Sequence, residues 1–163
     1  MAQKGNERRR MKTWTQIISD VNRQKIERNW TKLYWCIDLH DTIITGKYNK
    51  FNEGATIFPY AKETLDFLYN SNDNVITLWT SSYYGAMMDI TNRFELKFHH
   101  FNVNPGCRSN DLCDFKSKLY FNFLLDDKAG FDPHNDWKEI YEALTNSKQP
   151  LTVKQKRMVE ENL

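Results

Sequence analysis

Alternating apolar runs and amphipathic segments predict an α/β protein with a mainly parallel sheet. Three observations carry this. The run Lys32–Ile37 (KLYWCI) is almost continuously apolar, as expected of a strand covered on both faces. Comparable runs recur along the chain, separated by segments with helical periodicity. Three of the runs end in chemically similar polar residues: Asp38, Thr80-Ser81 and Asp126-Asp127.

The elements follow in order. Trp14, Ile17, Ile18, Val21 and Ile26 mostly recur three or four apart, which predicts an amphipathic helix. The first strand is 32–37. Residues 46–55, rich in Gly, Asn and Lys, read as a loop or short flap. Pro59 stands near the start of a helix carrying Ala61, Leu65 and Leu68, and Ser71-Asn72-Asp73-Asn74 is turn chemistry. Val75–Trp79 (VITLW) is the second strand, Tyr84–Phe94 a helix, and Phe98–Val103 a third strand. Residues 104–114 form a loop, Leu119–Leu125 (LYFNFLL) a fourth strand, and Asn135–Leu144 the last helix. The chain thus divides into a basic arm with an amphipathic helix (1–30), a core (31–146) and a polar tail (147–163), whose residues 152–161 have some helical character.

Composition narrows the classes. The 163 residues suit one domain with short extensions. Mean hydropathy is -0.74, and no apolar run approaches the roughly 20 residues of a membrane span. The polar, basic N-terminus lacks the apolar stretch of a secretory signal, so a cytoplasmic protein without a membrane partner is expected. Net charge is only +2, but Lys4, Arg8, Arg9, Arg10 and Lys12 crowd the N-terminus against the single Glu7. Such an arm reads either as a solvated tail or as a phosphate-holding segment. The cysteines, Cys36, Cys107 and Cys113, are odd in number, which argues against a disulfide framework. Cys36 lies in an apolar strand as a packed thiol. His99, His100, Cys107 and Cys113 form a loose cluster without the close pairs of zinc sites.

Ligands of open parallel sheets bind beyond the carboxyl ends of the strands. Parallel strands therefore bring Asp38, Thr80 and Asp126-Asp127 to one crevice. Clustered carboxylates repel unless a cation lies between them, and an all-oxygen set favours a hard ion, Mg²⁺. Magnesium commonly bridges to phosphate. Thr80 offers a hydroxyl, the turn after Asp38 offers backbone N–H groups, and Lys116 or Lys118 offers positive charge.

These residues resemble the motif set of the haloacid dehalogenase superfamily. Asp38-Leu39-His40-Asp41-Thr42 is similar to DxDxT after an apolar strand, and Val75–Thr80 to an apolar strand ending in Thr or Ser. Lys116, with Lys118 as the alternative, resembles the third motif, and Leu124-Leu125-Asp126-Asp127 the fourth. The spacing of Lys116 to the DD pair resembles the deoxyribonucleotidase-like branch. The resemblance implies a Rossmann-like three-layer sandwich with strand order 3-2-1-4 and no large cap domain. It implies a phosphatase in which Asp38 is the nucleophile and becomes an aspartyl phosphate. Asp38, the His40 carbonyl and Asp126 would bind Mg²⁺, supported by Asp127. Thr80, Ser81 and Lys116 would bind the phosphoryl group.

One position departs from the pattern. Phosphatases of the family usually carry a second Asp where this chain has His40. Histidine is a competent acid and base near neutral pH, but its geometry differs, so slow turnover is one expectation. A catalytically weak relative that binds phosphorylated ligands or nucleic acid is the alternative. A capless site implies a bulky phosphate or a second copy of the chain as lid. A nucleotide, a nucleic-acid terminal phosphate and a phosphoprotein remain open as substrates.

Overall fold

A computed structural model describes residues 12–46, 52–105 and 118–146. The basic arm before Lys12, Lys116, Cys107, Cys113 and the tail from 147 lie outside the described residues.

Helix α1 spans Trp14–Glu27 and is closed at both ends by local chemistry. Thr13 Oγ1 accepts from Gln16 N–H at 3.3 Å, and Gln16 Oε1 accepts from Thr13 N–H at 3.1 Å, a capping box. At the other end Asn29 has φ 51°, and Trp30 N–H reaches back to the Lys25 carbonyl at 2.9 Å. This is a Schellman closure with Asn in the left-handed position. The predicted stripe faces inward: Ile18 is buried, and Trp14, Ile17 and Val21 pack on the core.

The remaining elements are β1 (Leu33–Ile37), α2 (Ala61–Asn70), β2 (Asn74–Leu78), α3 (Tyr84–Arg93), β3 (His100–Phe101), β4 (Phe123–Leu125) and α4 (Asp136–Asn146). A single 3₁₀ turn, Asp127–Ala129, separates β4 from α4. All strand pairs are parallel, in the order β3-β2-β1-β4. The expected α/β Rossmann-like fold is present, with strand order 3-2-1-4. Among the described residues nothing forms a large cap.

Ile37, Ile76, Leu78 and Leu125 are fully buried in the sheet, and Leu39 is fully buried just beyond the end of β1. Trp35 stacks on Phe123 with centroids 3.8 Å apart, and its Nε1–H donates to Asn74 Oδ1 at 2.8 Å. Helix α4 lies against both α1 and α2.

Two strands are shorter than their apolar runs predict, for the same reason. A side chain replaces a main-chain acceptor and ends the regular ladder. Asn122 N–H donates to the Tyr34 carbonyl at 2.8 Å, but Tyr34 N–H donates to Asn122 Oδ1 at 2.8 Å. On β3, Ile76 N–H donates to His99 Nδ1 at 3.1 Å and Thr80 N–H to Asn102 Oδ1 at 2.8 Å. Burial, then the positive charge of His100 and Lys32, pushes the His99 ring below its ordinary pKa, which keeps Nδ1 free to accept.

Thr77, central in β2, is buried, and its hydroxyl has no hydrogen-bond partner. An unmade buried hydrogen bond costs about 1–3 kcal/mol. Thr77→Val keeps the shape and removes the orphan group. It is expected to raise stability by about 1 kcal/mol in urea unfolding. An unchanged or lower midpoint would show that the hydroxyl is satisfied in solution.

Candidate active site

The β1–β4 register pairs Ile37 with Leu125. The next residue on each strand is therefore an aspartate, and Asp38 and Asp126 emerge side by side. Asp38 N–H donates to the Leu125 carbonyl at 2.9 Å, which continues the ladder into the site. Oxygens of Asp38, Asp126 and Asp127 lie within 4.8 Å of one another, and all three residues are half-buried. Among the described residues this is the group able to hold a metal ion.

Each residue of the DLHDT run has a separate task. Asp38 joins the trio. Leu39 is buried in the core. Asp41, at φ 55°, accepts from Gly46 N–H through Oδ1 at 2.7 Å. A Cβ at position 46 would press into that carboxylate, so a side chain there would displace the Asp41 carboxylate from this closure. Thr42 is buried and joins two elements: its Oγ1 accepts from Asp127 N–H at 3.1 Å, and its carbonyl from Trp137 Nε1–H at 2.7 Å. His40 Nε2 lies 2.7 Å from Asn52 Oδ1 and Nδ1 lies 3.4 Å from Ser82 Oγ.

Asp126 is held by its own turn. Its Oδ1 accepts from Lys128 N–H at 2.8 Å, and its carbonyl accepts from Ala129 and Phe131 N–H. On the other side of β1, Thr80 follows β2 and is buried, with Oγ1 accepting from Ser82 N–H at 3.2 Å. Thr80 thus reaches the His40 side of the crevice through Ser82.

The electrostatics follow from this crowding. Burial, then the charges of Asp126 and Asp127, pushes the Asp38 carboxyl above its ordinary value, against the opposing pull of the Leu39 N–H and His40. The same burial, with Asp126 and Asp38 adding to it, pushes the Cys36 thiol up to about 12, which makes it an inert packed thiol. A carboxyl raised by like charges is relieved by a cation, and three carboxylates are a hard-ion donor set. The residues therefore fit Mg²⁺.

Asp38, His40, Thr80, Asp126 and Asp127 all fall among the described residues, and the three aspartates meet. Ser81 is exposed. The hydroxyl joined to Thr80 and His40 belongs instead to Ser82. Lys118 is exposed, and its carbonyl accepts from Asn104 Nδ2 at 3.2 Å. Asn52 and Ser82 carry no periodicity or motif that would have marked them. A surface depression of about 600 Å³, lined by Lys62, Asp66, Asn70, Glu95 and Lys97, contains none of the site residues.

Fold and site together define an α/β protein with an acidic, cation-ready crevice at the carboxyl ends of its strands. The chain is similar in structure to a conserved protein from Bacteroides thetaiotaomicron, with TM-score 0.52 and 22% identity over 72% of this chain and 93% of the other. At that identity the likeness concerns the fold. No family model and no curated protein matches the sequence.

Proposed function

We propose that the chain is a magnesium-dependent phosphomonoester hydrolase of the haloacid dehalogenase type. The observation that carries this reading is the convergence of Asp38, Asp126 and Asp127, oxygens within 4.8 Å, at the ends of adjacent parallel strands. Asp38 attacks phosphorus, and the bond to the leaving oxygen breaks as that oxygen takes a proton. Water then cleaves the aspartyl phosphate, releasing phosphate and restoring Asp38. Mg²⁺, held by Asp38, the His40 carbonyl and Asp126 with Asp127 in support, would neutralise charge on the phosphoryl oxygens. Thr80 and a lysine, Lys116 or Lys118, orient those oxygens, with Ser81 at the rim. The substrate is a nucleotide or a nucleic-acid terminal phosphate, the latter drawn by the basic arm.

No helix among the described residues is long and apolar enough to cross a membrane. The proposal places the enzyme in the cytoplasm, which suits its odd cysteine count. A second reading, binding of phosphorylated ligands with little turnover, is favoured by one observation: both ring nitrogens of His40 already face protein partners.

Mg²⁺ is expected to stabilise the fold by mass action, by about 2.7 kcal/mol at a concentration 100-fold above its Kd, and so to raise the melting temperature. Asp126→Ala should abolish that increment. Melts with and without Mg²⁺, run beside an aryl-phosphate assay, test the proposal. No metal-dependent shift in the wild type would remove its basis, and a shift with phosphate binding but no hydrolysis would favour the second reading.

A further inference from the structure

His40 is the residue at which the first motif departs from DxDxT, and the structure fixes its ring from both sides. Asn52 Oδ1 lies 2.7 Å from Nε2 and can only accept, so this contact is a hydrogen bond in the ring form that carries its proton on Nε2. In the neutral ring of that form Nδ1 is the acceptor, with the Ser82 hydroxyl 3.4 Å away. Ser82 Oγ in turn accepts from the Thr80 hydroxyl at 3.2 Å. Four side chains form one directional chain, Thr80 to Ser82 to His40 to Asn52.

Asn52 is itself firmly placed. It is 3% exposed, and its carbonyl accepts from Ala55 N–H and from Arg93 Nη1, both at 3.1 Å. Its backbone has φ 50°, a region Asn tolerates better than most residues. The flap residue is thereby anchored to α3 behind it while its amide faces the imidazole.

We propose that Asn52 is the positioning residue of His40, setting its tautomer and turning Nδ1 towards the Thr80–Ser82 end of the crevice. The effect on turnover rests on the phosphatase reading, whereas the effect on the ring does not.

Two substitutions separate the amide from the backbone. Asn52→Gly accepts φ 50° without strain and removes the acceptor. Asn52→Asp tolerates the same φ and keeps an acceptor. With Mg²⁺ and an alkyl phosphate monoester, Asn52→Gly should lower kcat by about 10–100-fold. Its KM should stay within about threefold of wild type, the split expected when orientation rather than binding is lost. Asn52→Asp should recover most of kcat. A glycine variant as fast as wild type, or an aspartate variant as slow as the glycine one, would overturn the proposal. A second readout needs no turnover. In ¹⁵N-histidine-labelled protein, His40 should show a slowly exchanging Nε2–H that is retained in Asn52→Asp and lost in Asn52→Gly. Absence of that proton in the wild type overturns the positioning role outright. If hydrolysis is absent or independent of Asp38, the phosphatase reading fails, and the ring proton decides the role of Asn52 by itself.

Discussion

Asp38→Asn is expected to lower Mg²⁺-dependent hydrolysis of an aryl phosphate by about 10⁴-fold or more, the scale seen when a nucleophile is removed. The amide is nearly isosteric but does not attack phosphorus, and its neutral oxygen is a poorer Mg²⁺ ligand. The same substitution should act oppositely on the metal-free fold. The Asp38 carboxyl is raised above its ordinary value of 3.8 by burial and by Asp126 and Asp127. A group raised in the folded state contributes stability that is fully present below its unfolded pKa. That contribution is lost as pH rises through the folded pKa. With chelator present at pH 7, Asp38→Asn should therefore melt above the wild type. The gap should close as pH falls towards 4, where Asp38 becomes neutral and resembles Asn. Adding Mg²⁺ should reverse the order, because only the wild type keeps the complete oxygen set. Retained hydrolysis would remove Asp38 from the nucleophile's role. A metal-free variant no more stable than wild type at any pH would show that the carboxylates do not repel in solution.

The sheet was legible because burial on both faces leaves a plain signature. KLYWCI contains β1 with one extra residue at its start, and VITLW overlaps β2 displaced by one residue towards the C-terminus. Convergence of Asp38 with Asp126 was legible for a related reason. Parallel pairing brings together the carboxyl ends of neighbouring strands, and an aspartate follows the apolar run in both. The lengths of β3 and β4 were not legible. LYFNFLL reads as continuous strand, and nothing in its composition reveals that Asn122 supplies its side-chain oxygen to Tyr34. His99 and Asn102 hide the same substitution at the two ends of β3. The surroundings of His40 were equally hidden. Asn52 comes from the flap and Ser82 from the turn before α3, and contacts between loops leave no period to read. Ser81 and Ser82 are chemically identical in sequence, and only the backbone path decides which one faces Thr80.

Trp137→Ala is expected to have the largest effect on stability. Trp137 is fully buried on α4 and packs edge-on against Phe131, 5.1 Å between centroids, which meets Trp14 of α1 in turn. Removing a buried Trp costs about 3–5 kcal/mol through lost burial and the cavity left behind. Here the Thr42 carbonyl also loses the Nε1–H at 2.7 Å, so the upper end applies. Domains are stable by only about 5–15 kcal/mol, so the variant should lie close to unfolding at 37 °C. Urea denaturation measures it, and a loss below about 1 kcal/mol would mean that α4 does not dock as described. Trp137→Phe separates packing from the hydrogen bond. It keeps most of the ring volume and should cost about 1–2 kcal/mol. Its second effect falls on the site. Thr42 stands between Trp137 and Asp127, whose N–H it accepts at 3.1 Å. Freeing the Thr42 carbonyl loosens the turn that presents Asp127. Mg²⁺-dependent stabilisation should therefore weaken in Trp137→Phe more than in a substitution of equal cost on α1, such as Ile18→Val. Equal Mg²⁺ responses in the two variants would show that α4 supports the fold without setting the geometry of the aspartates.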